Sequence, residues 1–198
     1  MNAVAVCAVL AALELDAVLV AQTLISRPLI VGAVLGTLTV NVYAGLFFGA
    51  AFELLSLCDL PVGGCLTWSA TVAAGTATVL SSRGTSFSLC FVGGIAAGVL
   101  HARLEAFERT RRASTGDALA RTAEGGGSVL GRALGLSIAG HAVMTFAAAG
   151  VVVAMVSFLD RRWWEGAPEF IRAGATLASS SAPWIGLSGV AAWGLKRS

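Results

Sequence analysis

Long runs of apolar residues, separated by short polar or charged intervals, cover most of the chain. These runs are residues 2–22, 29–57, 65–80, 86–100, 134–159 and 170–195. A helix that crosses a bilayer needs about 20 predominantly apolar residues, so runs of this kind indicate membrane spans rather than elements of a water-soluble domain. The pattern predicts an all-α integral membrane protein, a bundle of about six or seven membrane segments that includes broken or re-entrant helices.

A proline precedes the second run, and polar residues or a proline interrupt that run and the last one. Pro28 follows Arg27 and predicts a fresh helix start, because proline lacks an N–H and suits the first helical position. The 29–57 run is longer than one span and carries Asn41 in its middle, which predicts two helical pieces meeting near Asn41 as a kink or a re-entrant turn. Pro183 predicts that the last run is broken or bent.

Small residues mark the surfaces where helices are expected to pack closely. The 65–80 run is rich in Thr, Ser, Ala and Gly, which is typical of a helix packed among other helices rather than against lipid. Glycines four residues apart allow two helix backbones to approach, and predict dense packing and association with partner helices. Such pairs are Gly32/Gly36, Gly45/Gly49, Gly94/Gly98 and Gly131/Gly135.

The charged residues concentrate in one segment, residues 101–132, which contains six arginines. Its intermittent apolar face predicts one or two amphipathic surface helices that end at the glycines of 125–127. By the positive-inside rule, the segment is expected to lie in the cytoplasm. The single membrane domain, 1–198, thus divides into a core over 2–100, a cytoplasmic loop over 101–132 and C-terminal membrane segments over 133–198.

Composition excludes several classes of function. Only 12% of the residues are charged, and a formal net charge of +2 is too small for a nucleic-acid-binding surface. The four cysteines lie in apolar stretches without metal or disulfide spacing, so we interpret them as small buried hydrophobes. We expect His141 to be buried and hydrogen-bonded, and His101 to be solvated. With no catalytic constellation in view, we predict no autonomous catalytic site, no metal and no cofactor.

Glu53 is the strongest candidate for a functional residue, because an ionisable side chain among apolar neighbours is costly inside a membrane. Its carboxylate could accept hydrogen bonds from sugar hydroxyls, form an ion pair with Arg27 or Arg83, or lie at an interface. Glu14 and Asp16 need a similar explanation, and either lie near an interface or face a protein-lined cavity.

Uncharged polar residues near the predicted breaks could complete a site for a neutral polar ligand such as a sugar. Thr37 and Thr39 belong to this group. A side chain of this kind more often forms a hydrogen bond between helices than a contact with a ligand. An aromatic side chain would supply the apolar wall that such a ligand needs. The predicted substrate-binding residues are Gln22, Arg27, Asn41, Glu53, Thr67 and Trp68.

Several motifs follow one another in a fixed order in the first half of the chain. They are Leu-Ile-Ser-Arg-Pro-Leu-Ile-Val-Gly at 24–32, glycines at 36, 45 and 49, Glu-Leu-Leu-Ser-Leu at 53–57 and Leu-Pro-Val-Gly-Gly at 60–64. Their order and spacing resemble the IIC membrane subunit of the mannose/fructose/sorbose family of the bacterial phosphoenolpyruvate-dependent phosphotransferase system.

The resemblance implies a complete transport system around this chain. Such IIC subunits pair with a IID-type membrane subunit and move a hexose or amino sugar across the inner membrane, in an oligomeric complex. Soluble IIA and IIB subunits carry the phosphoryl group and phosphorylate the sugar, so the IIC chain itself is not an enzyme. By position, Glu53 and the broken helix from Arg27 to Asn41 would belong to the sugar-translocating core.

Two other interpretations remain open on the residues alone. The first is a non-transporting membrane scaffold or regulatory protein derived from such a subunit. Its 133–198 segment is short relative to the family, and Arg111 and Arg112 would dock a cytoplasmic protein. The second is an unrelated channel or transporter for a small solute.

Overall fold

The computed structural model describes residues 2–18, 24–57, 68–123 and 128–195, and these ranges form α-helices joined by short turns. The predicted all-α membrane bundle is confirmed. Helices α5 and α6 contain two stretches, Phe87–Ala113 and Gly131–Trp164, that are long and apolar enough to cross a bilayer by length and composition. The helices are α1 (Ala3–Val18), α2 (Pro28–Leu38), α3 (Val42–Ser56), α4 (Ala70–Ser82), α5 (Phe87–Ala123), α6 (Ser128–Leu159) and α7 (Glu169–Leu195).

The predicted break near Asn41 is a tight turn between two antiparallel helices, α2 and α3. The N–H of Asn41 donates to the carbonyl of Gly36 at 2.8 Å, and the N–H of Val40 donates to the carbonyl of Thr37 at 3.2 Å. This pair of hydrogen bonds is found at the C-terminal end of many helices. Val40 holds the left-handed position of this turn, with φ +58°, where glycine is usual. A β-branched residue there is strained, so the surrounding turn must hold it in place.

Asn41 fixes both sides of this turn. Its side-chain oxygen accepts a bond from the N–H of Ala44 at 3.4 Å, which caps α3, and its amide nitrogen donates to the hydroxyl of Ser81 on α4 at 3.0 Å. The turn of the α2–α3 hairpin is thereby tied to the end of α4.

Helix α4 is the buried centre of the bundle, as its small residues predicted. Every residue from Ala70 to Leu80 is buried. Helix α5 approaches it closely: a Cβ added at Gly94 would lie 2.7 Å from the carbonyl oxygen of Ala73, and one added at Gly98 would lie 2.6 Å from that of Ser69. The Gly94/Gly98 pair therefore packs two backbones together, whereas a Cβ at Gly131 or Gly135 would meet no atom within 4 Å.

The structure corrects the expected boundary at His101. Helix α5 continues from Phe87 through to Ala123, so the charged segment extends the preceding span rather than starting as separate surface helices. His101 was expected to be solvated and is fully buried, because it lies on the α5 face that packs against α6, where Nε2 lies 2.9 Å from the hydroxyl oxygen of Thr145. The glycines at 125–127 lie outside the described residues.

Two further expectations differ from the structure. His141 is fully buried as predicted, but neither ring nitrogen has a hydrogen-bond partner among the described residues, since its ring is packed edge-on against that of His101. Helix α7 is not broken at Pro183, which lies inside one helix from Glu169 to Leu195. Membrane helices tolerate proline where neighbouring helices support the backbone, and α7 packs against α3 and α5.

Glu14 and Asp16, which the sequence left either near an interface or facing a protein-lined cavity, are 4% and 8% exposed and so face the protein interior. Cys7 and Cys90 are buried free thiols. Cys58 and Cys65 lie outside the described residues.

Candidate functional site

Arg27 and Glu53 form an ion pair at the open end of the α2–α3 hairpin. The Nη1 of Arg27 donates to Oε1 of Glu53 at 2.8 Å, although the two residues are 26 positions apart. The hairpin makes this contact, because it runs α3 back along α2 until Glu53 reaches the start of α2. Of the two arginines proposed as partners for Glu53, Arg27 is therefore the one that pairs with it.

The start of α2 adds a second interaction with the Glu53 carboxylate. Arg27 is the N-cap residue of α2 and Pro28 begins the helix. The N–H of Leu29 donates to Oε2 of Glu53 at 3.4 Å. A carboxylate is favoured at this position because the first N–H groups of a helix lack helical partners and carry partial positive charge. The Glu53 side chain is 17% exposed and that of Arg27 is 48% exposed, so the pair opens onto the surface of the described chain.

Glu14 brings a second carboxylate to the same end of the bundle. Its Oε1 accepts a bond from the hydroxyl of Ser69 at 2.9 Å, and Ser69 in turn caps α4 by accepting from the N–H of Val72 at 3.2 Å. The other oxygen, Oε2, is buried without a hydrogen-bond partner among the described residues.

The two carboxylates belong to one polar layer that crosses α1, α2, α3 and α4. The hydroxyl of Thr71 donates to the carbonyl oxygen of Ser26 at 2.6 Å. Thr71 lies two residues after Ser69, and Ser26 is the residue before Arg27. We call this set the Arg27 layer: Glu14, Ser26, Arg27, Glu53, Ser69 and Thr71.

Trp68 borders this layer through an aromatic stack beneath Glu53. Phe52, the residue before Glu53, is fully buried and meets Trp68 edge to face with the ring centroids 5.6 Å apart. Phe52 also stacks on Phe91 of α5, with centroids 5.0 Å apart. These contacts are typical of a rigid wall beside a polar site.

The structure brings three of the six sequence-predicted residues to this end and leaves one elsewhere. Arg27 and Glu53 are paired, and Trp68 contacts Phe52, the neighbour of Glu53 in the chain. Asn41 lies at the opposite end of α3, twelve residues or about 18 Å of helix from Glu53. Gln22 and Thr67 lie outside the described residues.

Other polar residues near the breaks have local roles. The hydroxyls of Thr37 and Thr39 each donate to a carbonyl of their own helix, Val34 and Leu35 respectively, at 2.7 Å. Within the described ranges, no three His, Cys, Asp or Glu side chains form a group that could hold a metal ion.

Glu14, Ser26, Ser69 and Thr71 are the residues of the layer that were not predicted as site residues. The signal for Glu14 was present in the sequence, since an acid in an apolar run needs a protein environment. Its proximity to Ser69 depends on α1 packing against α4, which the sequence pattern does not specify.

Replacing Ser69 with alanine should lower the stability of the protein by about 1–3 kcal/mol, because the change removes the α4 cap and leaves Glu14 without its donor. Thermal unfolding of the purified protein in detergent measures this. Ser188→Ala is the matched control, since that exposed hydroxyl bonds only to a carbonyl of its own helix. Equal melting temperatures for the two variants would contradict a structural role for the Glu14–Ser69 bond.

Comparisons with known proteins support the resemblance found in the motifs. One solved structure, described as "Structure of membrane protein", is similar with a TM-score of 0.75 and 20% identity, over 95% of this chain and 77% of that one. At that identity the likeness shows the fold alone. No curated protein matches the chain. Residues 1–191 match the family described as "PTS system sorbose-specific IIC component". The chain therefore belongs to this family of sugar phosphotransferase membrane components.

Proposed function

We propose that the chain is the sugar-translocating IIC subunit of a phosphotransferase system and moves a hexose or amino sugar across the inner membrane. Membership of the family already makes it a membrane component of such a system rather than an unrelated channel. The observation that carries the finer proposal is the partly exposed Arg27–Glu53 ion pair, at the end of the bundle where Trp68 packs on Phe52, the residue before Glu53.

The chemistry of this pair suits a neutral polyol. A carboxylate accepts hydrogen bonds from hydroxyls, a guanidinium donates them, and an indole ring covers an apolar sugar face. Glu53 keeps accepting capacity, because among the described residues Oε2 accepts only the long 3.4 Å bond from Leu29. We propose Arg27, Glu53 and Trp68 as sugar contacts, with Glu14 as a further acceptor and Gln22 and Thr67 as contacts expected from the sequence.

Asn41 is assigned a different role in this proposal. Its distance from Glu53 along α3 is about 18 Å, which is too far for one hexose to touch both side chains. Its bonds to Ala44 and Ser81 support a role in holding the hairpin turn.

The partners are proposed from the family and from the surface of the bundle. Many large apolar side chains on α6 and α7 are exposed in the isolated chain, including Leu136, Val143, Leu177 and Trp184. Exposed apolar faces of this kind fit lipid and a IID-type membrane subunit. Soluble IIA and IIB subunits would supply the phosphoryl group from the cytoplasm.

Charge supports the orientation in which the extension of α5 is cytoplasmic. Four arginines lie on its described part between His101 and Ala113, and paired acids, Glu105 and Glu108, lie among them. The opposite end of the bundle carries Arg83, Arg161 and Arg162. When the whole segment 101–132 is counted, more basic residues lie at the α5 end of the bundle than at the opposite end. The positive-inside rule places the more basic end in the cytoplasm.

Replacing Glu53 with glutamine should reduce uptake and phosphorylation of one sugar by about 100-fold, since the change replaces one acceptor oxygen by an NH2 donor and removes the charge that pairs with Arg27. The measurement is uptake of labelled hexoses and amino sugars in cells that contain the IIA, IIB and IID subunits. Values are normalised to the amount of protein in the membrane.

Glu108→Gln is the matched control, because Glu108 is also an acid paired with an arginine but lies on the α5 extension. Its uptake should remain within about twofold of the parent. Unchanged uptake in Glu53→Gln would contradict the proposal. Loss of a bound cytoplasmic protein on changing Arg111 and Arg112, with uptake intact, would favour the scaffold alternative.

A further inference from the structure

A polar cavity lies at the end of the bundle opposite the Arg27 layer. It forms where α1 begins, where α4 ends and where α6 passes into one π-helical turn, Asp160–Trp164. Its volume is about 450 Å³, within the range of small-molecule sites. The residues that matter for its chemistry are Asn2, Arg83, Thr85, Ser157, Asp160 and Arg161.

Two guanidinium groups line this cavity without a salt bridge in the described part of the chain. Arg161 donates from Nε to the carbonyl oxygen of Ser157 at 3.1 Å, which fixes its side chain and leaves the two terminal nitrogens for another acceptor. Arg83 lies in the turn that ends α4 and makes no described ion pair. A pair of such groups in one cavity attracts an anion with several oxygens, because each guanidinium can donate two parallel hydrogen bonds.

The acid in the cavity does not neutralise these arginines. Oδ1 of Asp160 accepts bonds from the backbone N–H and the hydroxyl of Ser86, at 3.4 and 3.1 Å. The carboxylate therefore ties the end of α6 to the start of α5. The cavity keeps a net positive charge from its two arginines and one acid.

Ser157 supplies an independent indication that the cavity holds a ligand. The residue is only 5% exposed, and its hydroxyl has no hydrogen-bond partner among the described residues. Serines in helices usually bond back to a carbonyl of the preceding turn, as Ser179 and Ser188 do here. A buried hydroxyl without a partner is unfavourable, so a hydrogen-bond acceptor in the cavity would remove that cost.

The surroundings of the cavity are those of a lipid headgroup region. Trp163 is exposed just beyond it, and Phe158 and Met155 are exposed on the preceding turns of α6. Tryptophan is enriched where a membrane helix reaches the headgroups, and basic pockets between membrane helices can bind anionic headgroups.

We propose that this cavity binds the phosphate group of an anionic phospholipid. Arg83 and Arg161 would hold the phosphate, with the Ser157 hydroxyl as a further donor. The free oxygen of Asp160 would accept from a hydroxylated headgroup such as that of phosphatidylglycerol. The acyl chains would lie along the exposed apolar side chains of α6. Such a lipid would stabilise this end of the bundle whether or not Glu53 binds sugar.

The test compares lipid binding by the purified chain and its variants in detergent. Native mass spectrometry and thermal unfolding are measured with phosphatidylglycerol, with phosphatidylcholine and with inorganic phosphate. Arg83→Gln and Arg161→Gln should each weaken phosphatidylglycerol binding by about tenfold, and Ser157→Ala by less. Arg162→Gln is the matched control, because this neighbouring exposed arginine does not line the cavity.

The outcomes separate the sources of the phosphate. Binding of phosphatidylglycerol but not phosphatidylcholine, lost in the two cavity variants and kept in Arg162→Gln, supports the proposal. Equal binding by all variants, or equal binding of both lipids, overturns it. Stabilisation by inorganic phosphate without retention of phosphatidylglycerol overturns the lipid assignment. Should an arginine variant fail to fold, Ser157→Ala still decides, because it keeps every charge.

Discussion

Replacing Gly45 with alanine should prevent the α2–α3 hairpin from closing and leave little folded protein. A Cβ at this position would lie 2.2 Å from the carbonyl oxygen of Gly32 and 2.8 Å from the Cα of Gly36. Both are backbone atoms, so no side-chain rotation relieves the overlap and the two helices must move apart. Moving α2 and α3 apart would also strain the turn at Asn41 and lengthen the Arg27–Glu53 ion pair. We expect a loss of stability of about 3 kcal/mol or more.

Gly135→Ala tests whether this effect comes from packing rather than from the change of residue. Gly135 is also helical, but a Cβ there would meet nothing within 4 Å. That variant should be neutral or slightly stabilising in the isolated chain, since alanine favours a helix more than glycine does. Size-exclusion chromatography and thermal unfolding in detergent compare the two. A monodisperse Gly45→Ala protein that melts with the parent would show that the helices pack less closely than described.

The sequence predicted the features that depend on local pattern. Asn41 in an overlong apolar run indicated the turn, and the small residues before Leu80 indicated a buried α4. The glycine pairs at 32/36 and 45/49 gave the reason for the hairpin, because their spacing lets the two backbones touch.

Features that depend on which face of a helix packs inward could not be predicted. His101 precedes a run of charged residues, and its burial follows from the direction in which it points on α5, toward Thr145. Which of the site residues lie close together could not be predicted for the same reason. Asn41 caps the start of α3 and Glu53 lies near its end, so the length of the helix separates them, whereas Glu14 contacts Ser69 although the two are 55 positions apart in the sequence.

Exchanging the charges of Arg27 and Glu53 should restore stability without restoring transport. Arg27→Glu alone and Glu53→Arg alone each place two like charges where a partly exposed ion pair was, and should lower the stability of the protein by about 1 kcal/mol. In the double variant opposite charges face each other again, and the glutamate at position 27 lies at the N-terminus of α2, where a carboxylate is favourable. Stability should therefore largely recover.

Uptake in the double variant separates the two roles that the sequence left open for Glu53. If the carboxylate accepts sugar hydroxyls, an arginine on α3 cannot replace it, since a guanidinium has no acceptor. We therefore expect uptake to stay about 100-fold below the parent although the protein is folded. An exchange of the Glu108–Arg112 pair on α5 is the matched control, because it reverses a similar ion pair outside the Arg27 layer and should leave uptake unchanged. Recovery of uptake in the Arg27/Glu53 exchange would show that the pair only holds the hairpin closed, and the sugar contacts would then have to come from Glu14, Trp68 and the residues beside them.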